Sequence, residues 1–189
     1  AWLLAPVAAE VPDAWADVPR PSACVAFGWQ GILRHLYPGE RVWPIEPSAS
    51  PLLLRADLVG VSRYDLPHGL QMADVARWLG SPCELLITAG SQGGLLLRYL
   101  HGKVASGRRY HGIPARSEVD PTGAGDTMLA GMLAGGLVAR DGVPRGHALR
   151  LGALASSLLV ERPGLDAVPS LSAVRQREES LRAADRATG

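Results

Sequence analysis

The sequence is poor in several features that indicate particular classes of protein. Its 189 residues include only two cysteines, Cys24 and Cys83, which form no C-x-x-C pair and have no cluster of histidines nearby. This pattern argues against a zinc site and predicts two free thiols in a reducing compartment. The formal net charge is +1. The total charge therefore gives no indication of a nucleic-acid or membrane-surface partner.

Long apolar runs and an initial methionine are also missing. No apolar run approaches the roughly 18 residues of a membrane span. The opening AWLLAPVAA resembles a signal peptide but lacks its positive region, so we interpret it as a buried strand and expect a cytoplasmic protein. The first methionine is Met72. We therefore expect the chain to be part of a longer protein.

Short apolar runs alternate with amphipathic stretches through the first two thirds of the chain. This alternation predicts βαβ units and a parallel sheet, with the loops that follow the strands along one edge. Ligands of open α/β sheets bind at that edge. We predict strands at 2–7, 23–28, 57–62 and 83–90, helices at 11–18, 50–56 and 68–80, and an edge ribbon at 41–46.

The pattern changes after residue 90. Residues 93–114 predict two or three antiparallel strands, joined by glycine-containing turns at HGK and SGR. Two helices, from about 126 to 140 and from about 145 to 160, are rich in alanine, leucine and glycine, which predicts close packing between them. The charged tail, 171–189, predicts a solvated helix.

The stretch DPTGAGDTM, residues 120–128, has the composition of an anion site at the start of a helix. A helix N-terminus leaves backbone N–H groups without partners, and Gly123 and Gly125 allow an anion to approach closely. The carboxylate of Asp126 would repel that anion, so its useful role is to accept a proton from an attacking hydroxyl. The same residues also fit a second interpretation, an ordinary glycine turn in which Asp126 caps the helix.

A second glycine turn, TAGSQGG, follows the most strand-like segment. It places Thr88, Gly90 and Gly93 in a T-x-G-x-x-G arrangement at the ligand-binding edge, although a hairpin turn has the same appearance. The Walker pattern is absent, and no G-x-G-x-x-G follows the first strand. Neither common nucleotide motif explains these glycines.

Together these residues resemble the ribokinase-like, PfkB-type carbohydrate kinases. Asp120 to Asp126 match the D-x-x-G-A-G-D signature of that family in full, and the T-x-G-x-x-G turn lies upstream of it, as in family members. Residues 25–34, 56–66 and 164–170 also resemble family segments. The resemblance implies an α/β fold of three layers, α/β/α, with a mostly parallel sheet and an antiparallel edge. It further implies a single domain over 1–189, incomplete at its N-terminus.

The resemblance also implies roles for individual residues. Asp126 would be the catalytic base, and Gly123, Ala124 and Gly125 would form the anion hole. Thr88, Gly90 and Gly93 would line the ATP site, and Ala153 to Ser157 would flank the adenine. Asp120 matches a position that helps bind K⁺ in members activated by a monovalent cation.

The chain departs from the family pattern in two places. Ser62 and Asp65 stand where the family has the N-x-x-E motif, which helps to organise Mg²⁺ and phosphate. Asp65 would therefore replace the glutamate only in part, with phosphate oxygens supplying further ligands. The Gly-Gly substrate motif and the β-sheet lid of the family's N-terminal portion are missing from the sequence.

The leading hypothesis is therefore an ATP-dependent and Mg²⁺-dependent kinase for a sugar or nucleoside-like alcohol. A non-catalytic nucleotide-binding or regulatory module is the alternative, and glycine turns with a purely structural role are a third reading. The sequence does not identify the substrate. It also does not identify the oligomeric state, with a homodimer among the options, because the absent lid often mediates dimers in the family.

Overall fold

The computed structural model describes residues 1–8, 10–136 and 145–188. The chain divides into two compact units, Ala1–His111 and Gly112–Gly189. The first unit is built around a β-sheet and the second is built from helices. In the described part of the chain, no helix is both long enough and apolar enough to cross a membrane.

The first unit contains a six-stranded sheet in the order β1-β2-β5-β6-β7-β8 and a separate two-stranded ribbon, β3-β4. Neighbours from β1 to β6 in the larger sheet are parallel, whereas β7 is antiparallel to both β6 and β8. This arrangement confirms the predicted α/β class with a mostly parallel sheet and an antiparallel edge. The strands are β1 (Trp2–Leu4), β2 (Val25–Gly28), β3 (Arg34–His35), β4 (Trp43–Pro44), β5 (Leu58–Ser62), β6 (Cys83–Thr88), β7 (Gly94–Leu100) and β8 (Lys103–Tyr110).

The central strands form because their residues are apolar on both faces. Val25, Phe27 and Val59 are fully buried, as expected for parallel strands that are covered on both sides. The first strand ends at Leu4 instead of reaching residue 7. The shortening has a physical reason, because Pro6 has no N–H group to donate to a sheet ladder.

Two of the three helices predicted in the first unit are shorter than the sequence pattern indicates. Helix α1 (Pro51–Arg55) matches its prediction, and the Ser50 hydroxyl accepts the Leu52 N–H at 3.1 Å as its N-cap. The stretch 11–18 forms only a 3-10 helix, Asp13–Asp17. The stretch 68–80 contains helix α2 (Met72–Val75), which follows a left-handed Gly69 and gives way to tighter turns, such as the 3.0 Å bond from the Trp78 N–H to the Val75 carbonyl.

The antiparallel edge has one turn where the sequence suggested two. His101 and Gly102 both have positive φ, at 50° and 70°, and join β7 to β8 at the predicted HGK turn. The predicted SGR turn is wrong, because Gly107 lies inside β8 and pairs with Leu97. A Cβ on Gly107 would lie 3.1 Å from the Leu97 side chain, so this glycine makes room for a neighbour and does not reverse the chain.

The second unit is a set of helices, α3 (Ala124–Ala134), α4 (Arg145–Leu159) and α5 (Leu171–Thr188). The predicted helix from 126 to 140 begins two residues earlier, and its final residues, 137–140, lie outside the described residues. A Cβ on Gly131 would lie only 2.7 Å from the Gly152 Cα atom. The expected close packing of α3 on α4 is therefore confirmed, and it depends on glycine at the crossing.

Helix α5 is anchored by an ion pair whose arginine is buried, and it is not solvated on all sides, which corrects the prediction for the tail. Val174 and Arg177 are buried, and Arg177 donates to both carboxylate oxygens of Glu161 at 2.7 and 2.8 Å. The Arg116 backbone N–H donates to the same carboxylate at 2.6 Å. Burial alone would raise the pKa of Glu161, but these hydrogen bonds and the arginine charge lower it below its ordinary value.

We expect the Arg177→Met substitution to lower the free energy of unfolding by about 1–2 kcal/mol, since it removes the ion pair and leaves the half-buried Glu161 carboxylate with only the Arg116 N–H. Urea denaturation at neutral pH measures this loss, and Arg175→Met, on the exposed side of α5, is the matched control. Because the folded-state pKa of Glu161 is lowered, the pair stabilises the fold above about pH 4.5. Its contribution disappears as the pH falls through the folded-state value. Equal stabilities of the wild type and Arg177→Met at neutral pH would contradict this role.

Candidate functional site

The glycine stretch before α3 adopts the conformation that its sequence predicts. Gly123 occupies the N-cap position with φ of +78°, in the left-handed region that side chains rarely tolerate. The Gly123 carbonyl accepts the first helical hydrogen bond, from the Thr127 N–H at 2.9 Å. Among the described residues, no side chain accepts a capping hydrogen bond at the start of this helix. The alternative interpretation of the sequence, in which Asp126 caps the helix, is therefore wrong.

The backbone N–H groups of Gly125 and Asp126 are available to a ligand. Among the described residues neither has a hydrogen-bond acceptor, whereas the Ala124 N–H already donates to the Pro121 carbonyl at 3.1 Å. A Cβ built on Gly125 would meet nothing within 4 Å, so the space beside this residue is open. Free amides at a helix N-terminus can receive an anion such as phosphate.

Asp126 lies in the first turn of α3, beside those amides. Its side chain is exposed, and its carboxylate has no hydrogen-bond partner among the described residues. Nearby protein atoms nevertheless reduce the hydration of the carboxyl group, and this desolvation raises its pKa above the ordinary value. A carboxylate with a raised pKa and no partner is suited to accepting a proton.

Asp120 stabilises the loop that leads into α3. Its Oδ1 atom accepts the Thr122 N–H at 2.9 Å, and the hydrogen bonds from Thr122 are the main cause of its lowered pKa. From the other side, the Ser156 hydroxyl of α4 donates to the Ala124 carbonyl at 2.9 Å. Ala153, three residues before Ser156 in α4, is buried at 7% exposure. It is the residue predicted to flank adenine.

The second predicted glycine turn lies in the first unit. Thr88 is the last residue of β6, and Gly90 and Gly93 have positive φ, at 58° and 88°. The Ala89 N–H donates to the Gly93 carbonyl at 2.8 Å, which closes a tight hairpin between β6 and β7. The turn is therefore a hairpin, as the alternative reading had it, and it lies at the carboxyl end of a parallel strand.

The turn after β5 holds an interaction that the sequence analysis missed. Asp65 accepts hydrogen bonds on Oδ1 from Nε and Nη2 of Arg34, with the Nε bond at 3.1 Å, and on Oδ2 from Gln30 at 2.8 Å. Both carboxylate oxygens are thus occupied. The only sequence signal for this cluster is the pair of polar residues, glutamine and arginine, in the otherwise apolar stretch 25–34.

The described residues do not form a ready-made metal cage. Within 1–8, 10–136 and 145–188, no group of three or more His, Cys, Asp or Glu side chains is placed to hold a metal ion. The carboxylate of Asp65 is engaged by Arg34 and Gln30, and one oxygen of Asp120 holds the Thr122 amide. A hard cation such as Mg²⁺ would therefore need phosphate oxygens and water for most of its ligands.

The sequence of residues 58–171 matches the family described as pfkB family carbohydrate kinase, and the match covers more than half of the chain. The chain belongs to the pfkB family of carbohydrate kinases. The matched region of this pfkB chain contains both glycine turns, Asp65 and the whole stretch from Asp120 to Asp126. No curated protein matches the chain at a significant level.

Solved structures show the fold of this pfkB chain. A ribokinase of Arabidopsis thaliana, solved with ribose and ATP, superposes with a TM-score of 0.66 at 22% identity over 92% of the chain. A nucleoside kinase of Methanocaldococcus jannaschii gives 0.65 at 20% identity over 94%, and one of Burkholderia thailandensis, solved with inosine, gives 0.54 at 22% identity over 68%. The predicted ribokinase-like fold is thereby confirmed. The chain spans 54%, 55% and 42% of the lengths of these three proteins.

Proposed function

We propose that this pfkB-family chain is the phosphoryl-transfer part of an ATP-dependent kinase whose acceptor is an alcohol group of a sugar or related small molecule. The observation that carries this proposal is the start of α3, where two amides with no acceptor among the described residues lie beside an exposed carboxylate, and where the space next to Gly125 is open. The Arabidopsis ribokinase with the same fold was solved with ribose and ATP, which supports this choice of substrates.

Each part of the proposed reaction falls to a named residue. The predicted anion hole at Gly123, Ala124 and Gly125 needs one correction, because the Ala124 N–H is taken by the Pro121 carbonyl. The amides of Gly125 and Asp126 stabilise negative charge on the transferring phosphoryl group, and the Asp126 carboxylate accepts the proton of the acceptor hydroxyl. ATP supplies the phosphoryl group, and a Mg²⁺ ion bound with it would offset the charge of its phosphates. Catalysis rests mainly on positioning and electrostatic stabilisation.

The remaining assignments concern binding. We propose that Thr88, Gly90 and Gly93 line the ATP site and that residues 1–189 belong to a single kinase domain. Asp120 holds the loop that leads into the anion hole, and its carboxylate is proposed to contribute to a monovalent-cation site. Ala153 is buried, so we propose that it packs behind the adenine site and offers little surface for direct contact with the base.

A non-catalytic nucleotide-binding module is the second candidate. The observation that favours it is the turn after β5, where Asp65 is already engaged by Arg34 and Gln30 in place of the family's N-x-x-E motif. Such a module would bind ATP through the same amides and would transfer nothing.

Titration of the chain with ATP and Mg²⁺, followed by measurement of ADP release, separates these functions. The acceptors in the assay are ribose, other sugars and nucleosides including inosine. We expect ATP to bind and at least one acceptor to stimulate ADP release. Binding without release across the acceptors would favour the non-catalytic module, and no binding of ATP would contradict both functions.

A further inference from the structure

Arg34 lies at the edge of the parallel sheet where ligands of α/β proteins bind. Strand β2 ends at Gly28 and a 3-10 helix, Trp29–Ile32, leads from it to Arg34. Strand β5, which pairs with β2 in parallel, ends at Ser62, just before the turn that carries Asp65. The carboxyl ends of both strands therefore lie at the same edge. The N–H of Arg63 in that turn also donates to the carbonyl of Thr88 at 2.9 Å, which ties the turn to the end of β6.

The guanidinium group of Arg34 is oriented and has free donors. The Asp65 side chain is 7% exposed and the Arg34 side chain is 35% exposed, so the carboxylate is covered while the guanidinium reaches solvent. Of the five N–H groups of an arginine, one on Nε and one on Nη2 are used by Asp65. The others have no acceptor among the residues that the structure describes. The sheet edge thus presents a fixed set of N–H donors.

The segment that leads into Arg34, the first residue of β3, has little freedom to move. Trp29 and Leu33 are buried in the core, and the Trp29 ring packs edge to face on Trp78 with ring centroids 6.0 Å apart. A side chain on Gly31 would overlap the Pro6 carbonyl, so the backbone also fits closely on its inner side. Gln30 follows the first of these anchors and Arg34 follows the last, and the hydrogen bonds of both side chains to Asp65 hold them in place before any ligand arrives.

We infer that Arg34 is a phosphate-binding residue of the first unit and that Asp65 positions it and is not a metal ligand. The inference rests on the proposed phosphotransferase function. An arginine presents paired N–H groups that match two phosphate oxygens, and a carboxylate behind it fixes that geometry. The ion pair has no net charge, so the recognition comes from directed hydrogen bonds. The phosphate belongs either to the nucleotide or to the phosphorylated product.

Binding measurements on the full chain test this assignment. The variants are Arg34→Gln, which loses the paired donors, Arg34→Lys, which keeps only the charge, and Asp65→Asn, which frees the guanidinium. Arg63→Gln is the matched control, because the Arg63 guanidinium bonds to the Tyr64 hydroxyl at 2.7 Å and not to a carboxylate. ATP with and without Mg²⁺ and, separately, ribose 5-phosphate are titrated calorimetrically, after circular dichroism has confirmed that each variant is folded.

We expect Arg34→Gln, Arg34→Lys and Asp65→Asn each to raise the Kd of one of these ligands by about tenfold or more, the loss of a charge-assisted bidentate contact. The Mg²⁺ concentration that gives half-maximal ATP binding should not change in Asp65→Asn, and Arg63→Gln should bind as the wild type does. A loss for ATP places the phosphate on the nucleotide, and a loss for ribose 5-phosphate places it on the product.

Two results would overturn the inference. Wild-type binding in Arg34→Gln would remove Arg34 from the site while leaving the proposed function intact. A changed Mg²⁺ requirement in Asp65→Asn, with Arg34→Lys unaffected, would make Asp65 a metal ligand. Failure of the wild type itself to bind ATP would contradict the proposed function and this inference with it, so the two failures are distinguishable.

Discussion

The Asp126→Asn chain should lose kcat by roughly 10²- to 10⁴-fold, the usual contribution of a positioned general base, while its affinity for ATP changes little. Asparagine has nearly the same shape but cannot accept the hydroxyl proton. The carboxylate makes no hydrogen bond among the described residues, so its replacement removes no structural contact. Steady-state kinetics with the best acceptor, together with an ATP titration, measure both quantities.

The pH dependence of the reaction provides a second readout of the same residue. A base must be deprotonated to act, and loss of hydration raises the pKa of Asp126 above its ordinary value of 3.8. The kcat/KM of the wild type should therefore fall on acidification with a midpoint above that value. Asp166→Asn, on an exposed turn of the second unit, is the matched control and should keep the wild-type profile. A kcat for Asp126→Asn close to that of the wild type would show that another group takes the proton.

The second large effect is expected at Gly125, where function and stability should separate. Because a Cβ at this position meets nothing within 4 Å, Gly125→Val fits the fold and should leave the free energy of unfolding within about 1 kcal/mol of the wild type. The new side chain nevertheless narrows the approach of a ligand to the free amides of Gly125 and Asp126. We expect turnover to fall by roughly 10²-fold or more, comparable to the loss of an oxyanion-hole donor.

Two further substitutions test whether the loss of turnover is specific to Gly125. Gly123→Ala places a side chain at φ of +78° and should cost about 1–2 kcal/mol of stability, since the conformation itself is strained. Ala130→Val enlarges an exposed position on the same helix, away from its first turn, and should leave turnover unchanged. Thermal melts and initial rates of all three variants complete the comparison. Full activity in Gly125→Val would mean that no ligand approaches these amides.

The sequence predicted the sheet well because its strands are marked by their own residues. The runs around Val25, Val59 and Leu85 are apolar over several successive positions and have no competing helical period. Helices were predicted less well in the first unit, where an amphipathic pattern also fits a short helix followed by turns. The Tyr99 hydroxyl donates to the Met72 carbonyl at 2.8 Å, a contact between distant residues that no local pattern contains.

The candidate site also has one part that the sequence predicts and one part that it does not. The start of α3 could be predicted because its glycines, its helix and its acid are consecutive in the sequence. The contact between Arg34 and Asp65 could not, because 31 positions separate them and only the parallel pairing of β2 with β5 brings them together. The turn predicted at Gly107 was wrong for a related reason. This glycine is small because it must leave room for the side chain of Leu97 on the neighbouring strand, which no local pattern shows.

The central claim is that the amides of Gly125 and Asp126 bind the terminal phosphate of a nucleotide. It is tested most directly by titrating wild type and Gly125→Val with ATP and with ADP, which lacks that phosphate. The account predicts that the wild type binds ATP and that Gly125→Val loses affinity for ATP by at least tenfold, with a much smaller loss for ADP. Equal ATP affinities for the two chains would contradict it.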